Sequence, residues 1–252
     1  MVKYKVILKT SHRNAHRVEN CLNTWLQGLD YVCLTDNVTG RFEEFSGSDN
    51  DTYNSNEEKT VNLINRVRES NFLNDYDFLF FIDDDAYLNV NYLNYLLPYF
   101  DKLKFYGLAM GGYPHRPDLV FPSGGSGYIL SPSHIKNFTP IYRPPYTGGG
   151  SEDVVVGNWL EENKQQIIQS VYIDEKEHFF RLNGWWPFHR EKDLLEARDG
   201  YQQDYHKKII DNIVDKETET LLNRHLTHHY IRYDYEMQYI HSILKDWKPE
   251  YL

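Results

Sequence analysis

The stretch Phe78–Asp85, FLFFIDDD, runs five apolar residues straight into three consecutive carboxylates. The apolar run predicts a strand that is buried on both faces, as in a parallel sheet covered by helices. Three adjacent carboxylates repel one another and are costly to bury unpaired. They are tolerated at the carboxyl end of a strand, where α/β proteins place their ligand crevice. The plain alternative is a solvated acidic turn after the strand.

A hard divalent cation would offset the repulsion among Asp83, Asp84 and Asp85, because Mg²⁺ and Mn²⁺ prefer oxygen ligands. A protein that holds such an ion with one or two carboxylates usually fills the other positions with water and substrate phosphates. The stretch therefore indicates a metal–diphosphate site at the edge of an α/β sheet.

The composition of the 252-residue chain excludes some classes of function. A formal net charge of −10 argues against sequence-independent binding of nucleic acid, which needs a basic surface. No apolar stretch approaches the ~20 residues that span a bilayer. The chain enters a strand at once without a signal-peptide layout, and its two cysteines fit a reducing compartment. We expect a cytoplasmic protein, from a bacterial cell or a virus-infected host.

Strand and helix patterns alternate along most of the chain, which is typical of an α/β fold with a mainly parallel sheet flanked by helices. From about Tyr201 to Trp247 the chain lacks Gly and Pro and shows helical spacing. We therefore expect a domain of residues 1–198 and a helical C-terminal extension, residues 199–252, packed on it. The predicted strands include residues 3–10, 31–36 and 107–113, the predicted helices residues 57–71, 88–100 and 154–163, and the predicted loops residues 43–56 and 143–151.

An acidic pair, Glu152-Asp153, opens a predicted helix after a glycine-rich loop. A carboxylate at a helix N-terminus is stabilised by the helix dipole. The plain interpretation is N-capping. The functional interpretation is a general base that takes a proton from an incoming hydroxyl.

A later run, Asn183–His189, combines two tryptophans with a histidine. His189 is a candidate metal ligand, because imidazole suits Mn²⁺ better than Mg²⁺. Trp185 and Trp186 are candidates for a wall against the ring of an acceptor sugar. The alternative for all three is packing in the core.

Weaker signals come from glycines and from predicted strand ends. Gly124 and Gly125 would let a ligand approach the backbone closely, although a tight turn is the default for such a segment. Thr10, Arg13 and Asp36 lie at or just past predicted strand ends, where a nucleotide can bind. A group of histidines suggests zinc, but we reject that interpretation because no cysteine joins them and the region has the pattern of a surface helix. These histidines are at positions 225, 228, 229 and 241.

Several motifs, in this order, resemble those of the Fringe-like β1,3-glycosyltransferases over about residues 5–190. Each motif alone is weak, but their order and spacing together are fairly specific. The motifs are Lys9-Thr10-Ser11 with His16-Arg17, Thr24-Trp25, Leu34-Thr35-Asp36, Phe81–Leu88, Ser123–Tyr128, Glu152-Asp153-Val154 and Phe188-His189.

The resemblance implies a GT-A fold, a UDP-sugar donor, a Mn²⁺ cofactor (with Mg²⁺ as the alternative ion) and inversion at the anomeric carbon. It makes Asp85 the main metal carboxylate and His189 the second protein ligand. Asp83 and Asp84 would support the metal and the donor.

The same resemblance assigns roles to residues elsewhere in the chain. Asp153 would be the catalytic base, with Glu152 as the second candidate. Thr10 and Asp36 would contact the uridine of the donor.

We therefore expect a metal-dependent inverting glycosyltransferase that moves a hexose or N-acetylhexosamine from a UDP-sugar to a hydroxyl of a glycan or protein, with no membrane span. A modified base of viral DNA is a further acceptor class, which would need a local basic face around Arg224, His225, His228, His229 and Arg232. Two other functions stay open. One is a metal-dependent phosphohydrolase, and the other is a catalytically silent sugar-binding module.

Overall fold

The computed structural model shows an α/β fold built on a mixed, mainly parallel sheet of seven strands. Two short hairpins and a small three-stranded sheet flank the main sheet. The structure describes residues 2–52, 55–70, 75–113, 116–142, 151–173, 176–179, 182–183, 222, 225–229, 231 and 234–251.

The main sheet has the order β10-β6-β9-β4-β1-β2-β3, and β9 alone runs antiparallel to its two neighbours in it. The carboxyl ends of β1, β2 and β4 therefore meet at one edge of the sheet. The described strands are β1 Tyr4–Lys9, β2 Tyr31–Thr35, β3 Glu44–Ser46, β4 Phe78–Asp83, β5 Tyr87–Leu88, β6 Phe105–Gly107, β7 Ala109–Tyr113, β8 Arg116–Pro122, β9 Tyr128–Leu130, β10 Ile167–Ile168, β11 Ser170–Ile173, β12 Lys176–Phe179, β13 Leu182–Asn183 and β14 Thr227–His228.

Helices cover both faces of the main sheet. Helices α1, α3 and α6 contribute to the hydrophobic core on one face, and α2, α4 and α5 contribute to the core on the other. Their bounds are α1 Ala15–Leu22, α2 Ser55–Glu69, α3 Val90–Leu96, α4 Pro132–Asn137, α5 Glu152–Glu162 and α6 Asp234–Leu244. None of the helices in the described ranges is long and apolar enough to cross a lipid bilayer.

Strand β4 confirms the prediction of a strand that is buried on both faces. Phe78, Phe80 and Ile82 lie in one core, whereas Leu79 and Phe81 lie in the other. This alternation follows from the two-residue period of a strand, and it explains why the run is apolar without interruption. The strand ends where apolar residues give way to carboxylates, at the carboxyl edge of β1, β2 and β4.

The C-terminal segment, of which residues 222, 225–229, 231 and 234–251 are described, contributes both to a sheet and to the core. Strand β14 pairs antiparallel with β5 and parallel with β13. The side chains of Met237, Ile240 and Leu244 of α6 lie in the same core as β1 and β4. After α6, the ring of Trp247 stacks on that of Tyr92, with 4.6 Å between centroids. The predicted domain boundary at residue 198 lies outside the described residues and stays a prediction.

Two expectations about secondary structure are wrong. The predicted loop 43–56 contains strand β3, which adds to the main sheet beside β2 although its sequence is short and polar. Residues 225–229 are buried and include β14, so they are not part of a surface helix. In both cases tertiary pairing overrides a weak local pattern, because a strand of two or three residues has too few positions to show a period.

We expect Trp247→Ala to lower the free energy of unfolding by about 3–5 kcal/mol, as is typical when a large aromatic side chain is removed from a core. Urea unfolding followed by circular dichroism measures the change. Tyr172→Ala is the control, because Tyr172 is 68% exposed and its loss should change stability by less than about 0.5 kcal/mol. Equal stability of Trp247→Ala and the unmodified chain would contradict the packing of the C-terminal segment on this core.

Candidate functional site

The three carboxylates after β4 have different surroundings. Asp84 accepts hydrogen bonds from Thr10 Oγ1 at 2.6 Å and from Arg17 Nη1 at 3.2 Å. Burial raises the pKa of Asp84 to about 6, although these two donors act in the opposite direction. Both oxygens of Asp84 are thus engaged, and this carboxylate joins the end of β4 to β1 and α1.

Asp83 and Asp85 point instead toward a histidine that the sequence analysis did not assign to the metal. His229 Nε2 lies 3.1 Å from Asp85 Oδ1 and 4.0 Å from Asp83 Oδ2. One ligand atom from each residue lies within 4.8 Å of the others. The pairing of β14 with β5 and a hydrogen bond from Ile231 N to Asp85 O, 2.8 Å long, fix His229 beside the carboxylates.

His229 was among the histidines that we set aside as part of a surface helix, and it is in fact only 7% exposed. The sequence signal for it was weak, because it lies 144 residues after Asp85 with no motif around it. His189 lies outside the described residues, so its role as a metal ligand stays a prediction.

The group of Asp83, Asp85 and His229 fits a divalent ion. Asp85 Oδ1 is buried and accepts no hydrogen bond from the described residues. Two ligand atoms at right angles around an octahedral ion, each about 2.1 Å from it, are about 3 Å apart, which matches the 3.1 Å between Asp85 and His229. Carboxylate oxygen combined with imidazole nitrogen suits Mn²⁺.

A buried lysine lies behind this group. Lys9 Nζ is 2.9 Å from Asp83 Oδ1, donates a hydrogen bond to Gly124 O at 2.9 Å and contacts Glu152 Oε1. Burial by itself would lower the pKa of Lys9, but the charges of Asp83 and Glu152 raise it well above the ordinary value. For Asp83 the two effects have the opposite signs. Burial by itself would raise the pKa of Asp83, but the charge of Lys9 lowers it overall. Glu152 is therefore engaged in a buried ion pair.

The neighbouring carboxylate, Asp153, has a different environment. Its Oδ1 accepts a hydrogen bond from Val154 N at 2.9 Å, and its Oδ2 accepts one from Gly124 N at 3.4 Å. Burial and the charge of Glu152 raise the pKa of Asp153 to about 7, against the opposing effect of Lys9. A general base works best with a pKa near the operating pH, so Asp153 suits that role better than its ion-paired neighbour.

The glycine segment, residues 123–127 after β8, lies between the acidic pair Glu152-Asp153 and His229. A Cβ atom on Gly124 would lie 2.4 Å from Glu152 Oε1, and one on Gly125 would lie 2.1 Å from the His229 ring. Neither position has room for a side chain. The segment is therefore a close contact between α5, the C-terminal segment and the end of β4, where Gly125 O accepts a hydrogen bond from Asp83 N at 3.4 Å.

A cavity of about 320 Å³ opens beside the carboxylates and is lined mainly by polar residues. Thr10 lines this cavity, and its contact with a nucleotide stays a prediction. The lining residues are Lys9, Thr10, Ser11, Asn14, Arg17, Asp51, Thr52, Asn56, Lys59, Asp83, Asp84 and Asp85.

The two other predicted nucleotide contacts are engaged with side chains of the protein. Arg13 Nε forms an ion pair with Asp51 Oδ2 at 2.8 Å. Asp36 accepts a hydrogen bond from His12 N at 2.9 Å, and its other oxygen is 2.5 Å from His12 Nδ1. Burial raises the pKa of Asp36, but the His12 contacts lower it overall. His12, Asp36 and Asp51 form a second group with ligand atoms close together, yet its members are already paired.

Trp185 and Trp186, the predicted acceptor wall, lie outside the described residues. Of the predicted basic face, His225, His228 and His229 are buried, so they do not form an exposed surface for DNA. Burial and the neighbouring His225 lower the pKa of His228 to about 3, which keeps its ring neutral. Arg224 and Arg232 also lie outside the described residues.

A comparison with models of known protein families finds no match to this chain. The resemblance to the Fringe-like glycosyltransferases therefore depends on the quoted motifs, and it stays a prediction. The fold is compatible with a GT-A-like arrangement, since the sheet is mainly parallel and its acidic motif lies at the carboxyl end of a central strand.

We expect Gly125→Ala to weaken Mn²⁺ binding at least tenfold, because the added methyl group would displace the ring of His229. Isothermal titration calorimetry with Mn²⁺ measures the affinity. Gly111→Ala is the matched control, because a Cβ atom at Gly111 meets no atom within 4 Å. Unchanged Mn²⁺ affinity in Gly125→Ala would show that His229 does not hold the ion.

Proposed function

We propose that the protein is a metal-dependent inverting glycosyltransferase that uses a UDP-sugar donor. The proposal is supported mainly by two groups of side chains that contact the same glycine segment, at Gly124 and Gly125. A carboxylate–imidazole group that fits a divalent ion lies against Gly125. A carboxylate with a pKa near 7 accepts a hydrogen bond from the adjacent Gly124. Sugar transfer from a nucleotide needs both, a charge to neutralise the leaving diphosphate and a base for the acceptor.

Each residue has a chemical role in this reaction. Asp85 and His229 would hold the ion, which when bound supplies Lewis-acid stabilisation of the diphosphate leaving group. Asp153 would accept the proton of the acceptor hydroxyl as that oxygen attacks the anomeric carbon. The attack comes from the side opposite the leaving group, so the anomeric configuration inverts. Lys9 lowers the pKa of Asp83 and holds both Asp83 and Glu152 in place.

The nature of the donor is supported by the cavity beside the carboxylates. Its polar lining suits the ribose and phosphates of a nucleotide better than an apolar ligand. The preference for uridine, and for a hexose or N-acetylhexosamine, comes from the motif resemblance. A glycan or protein hydroxyl is the acceptor that we propose, since the buried histidines at positions 225, 228 and 229 offer no basic surface to DNA.

The phosphohydrolase alternative is less well supported. Such enzymes usually hold two metal ions about 3.5–4 Å apart. In the described part of the chain the second candidate group is paired internally, because His12 bonds to Asp36 and Arg13 bonds to Asp51. A silent sugar-binding module would need no group such as Asp153, whose pKa is raised toward neutrality.

Removing the ion or its ligands should reduce both donor affinity and turnover. We expect UDP to bind at least tenfold more tightly with Mn²⁺ than with EDTA, and Asp85→Asn to lose most of that difference. Incubation with UDP-glucose, UDP-galactose and UDP-GlcNAc should show slow release of UDP even without acceptor, because water replaces the acceptor poorly. Equal UDP affinity with and without Mn²⁺ would contradict the metal site.

Asp153→Asn should lower turnover by about 10²–10⁴-fold and leave UDP affinity nearly unchanged, because a base acts on the acceptor and not on the donor. In the unmodified protein, protonation of Asp153 removes the base. Turnover should therefore fall about tenfold per pH unit below about 7 and level off above it. A full transfer rate in Asp153→Asn, or a pH-independent rate between pH 5 and 8, would rule out this base.

A further inference from the structure

A second buried lysine, Lys59 on α2, lines the cavity and forms no ion pair with another described residue. It is 3% exposed, and its Nζ donates a single hydrogen bond, to Thr10 O at 3.0 Å. In the described ranges it takes part in no ion pair within 4.0 Å. An ammonium group that is buried without a carboxylate beside it is costly. Such a group inside a polar cavity indicates a site for an anion.

The other cations around the cavity differ from Lys59, because each already has a carboxylate partner. These pairs are Lys9 with Asp83 at 2.9 Å, Arg17 with Asp84 at 3.2 Å and Arg13 with Asp51 at 2.8 Å. Among the described residues that line the cavity, Lys59 is outside these pairs, and Asp85 lies beside the ring of His229 and not beside a lysine or an arginine. A divalent ion on Asp85 would therefore leave an excess of positive charge, which an anion next to Lys59 would balance.

The position of Lys59 is fixed by its backbone. A Cβ atom on Gly47 would lie 2.6 Å from Lys59 Cα, so helix α2 packs directly against the chain just after β3. This contact fixes the Cα of Lys59 and therefore the point from which its side chain enters the cavity. Arg17 also lines the cavity, and its Nε is buried and makes no hydrogen bond to the described residues. The ammonium of Lys59 has three N–H groups and donates one hydrogen bond to the described residues, so both cations have N–H groups left for a ligand.

We propose that Lys59 is a phosphate-binding residue, which contacts the diphosphate of the nucleotide donor beside the metal held by Asp85 and His229. The inference rests on the proposed function for the identity of the ligand. It goes beyond the motif resemblance by adding a direct, metal-independent contact to the phosphates. Burial lowers the pKa of Lys59, against the effect of more distant carboxylates, as expected for an ammonium that lacks a close anion.

The test compares three ligands on three proteins by calorimetry. The ligands are UDP, uridine and Mn²⁺, and UDP is titrated both with Mn²⁺ and with EDTA. Lys59→Gln removes the charge but keeps a donor for Thr10 O, so the local structure should be retained. Lys136→Met, at an exposed position of α4, is the control for loss of one positive charge.

We expect Lys59→Gln to weaken UDP binding at least tenfold both with Mn²⁺ and with EDTA. Uridine, which has no phosphate, should bind as it does to the unmodified protein, and so should Mn²⁺ alone. These two affinities also show that the variant is folded. Lys136→Met should match the unmodified protein with every ligand.

The outcomes separate this inference from the proposed function. UDP binding that depends on Mn²⁺ but not on Lys59 would overturn the inference and leave the metal site intact. UDP binding that depends on Lys59 but not on Mn²⁺ would overturn the metal-dependent mechanism and leave the phosphate contact standing. A loss of uridine affinity equal to that of UDP would also overturn the inference, because the lysine would then act on the shape of the whole cavity.

Discussion

The candidate site depends on one buried ammonium group, Nζ of Lys9. It contacts Asp83 at the end of β4, Gly124 O in the glycine segment and Glu152 at the start of α5. Each of these elements places a carboxylate or a carbonyl oxygen against the buried Nζ of Lys9. Without a cation among them, the two carboxylates would repel each other. Lys9 offsets this repulsion and lowers the pKa of Asp83, and it holds together three elements that are distant in sequence.

Because of Lys9, the two carboxylates within each acidic pair, Asp83 with Asp85 and Glu152 with Asp153, have different surroundings. Asp83 is held by Lys9, whereas Asp85 faces His229 with an oxygen that accepts no hydrogen bond from the described residues. Glu152 is likewise held by Lys9, and its charge helps to raise the pKa of Asp153 to about 7. In each pair, one carboxylate is held by Lys9 and the other is not. Neighbouring carboxylates thus differ, because Lys9 contacts one member of each pair and not the other.

The C-terminal segment is part of this site and not a separate cover for it. Strand β14 pairs with β5, directly after the three carboxylates, and Thr227 Oγ1 donates a hydrogen bond to Ser126 O at 2.9 Å. Both contacts fix the backbone next to His229. The glycine at position 125 then allows the imidazole ring to approach the end of β4. The candidate site forms only when the last part of the chain folds against the first.

Local patterns in the amino-acid sequence are sufficient to predict part of this structure. A run of five apolar residues ending in three carboxylates predicts a central strand with polar groups at its carboxyl end, and β4 has that structure. The alternation of strand and helix patterns along the chain predicted the α/β class. Glu152 and Asp153 begin a helix, as their sequence also predicted. The contacts between distant residues arise only on folding. Folding brought His229 to Asp85, paired Lys9 with Glu152 across 143 positions, and left Lys59 facing a cavity without an ionic partner in the described part of the chain. Such contacts join distant residues of ordinary type, and no local period or motif records them, because the free energy of a buried charge depends on neighbours that only folding brings together.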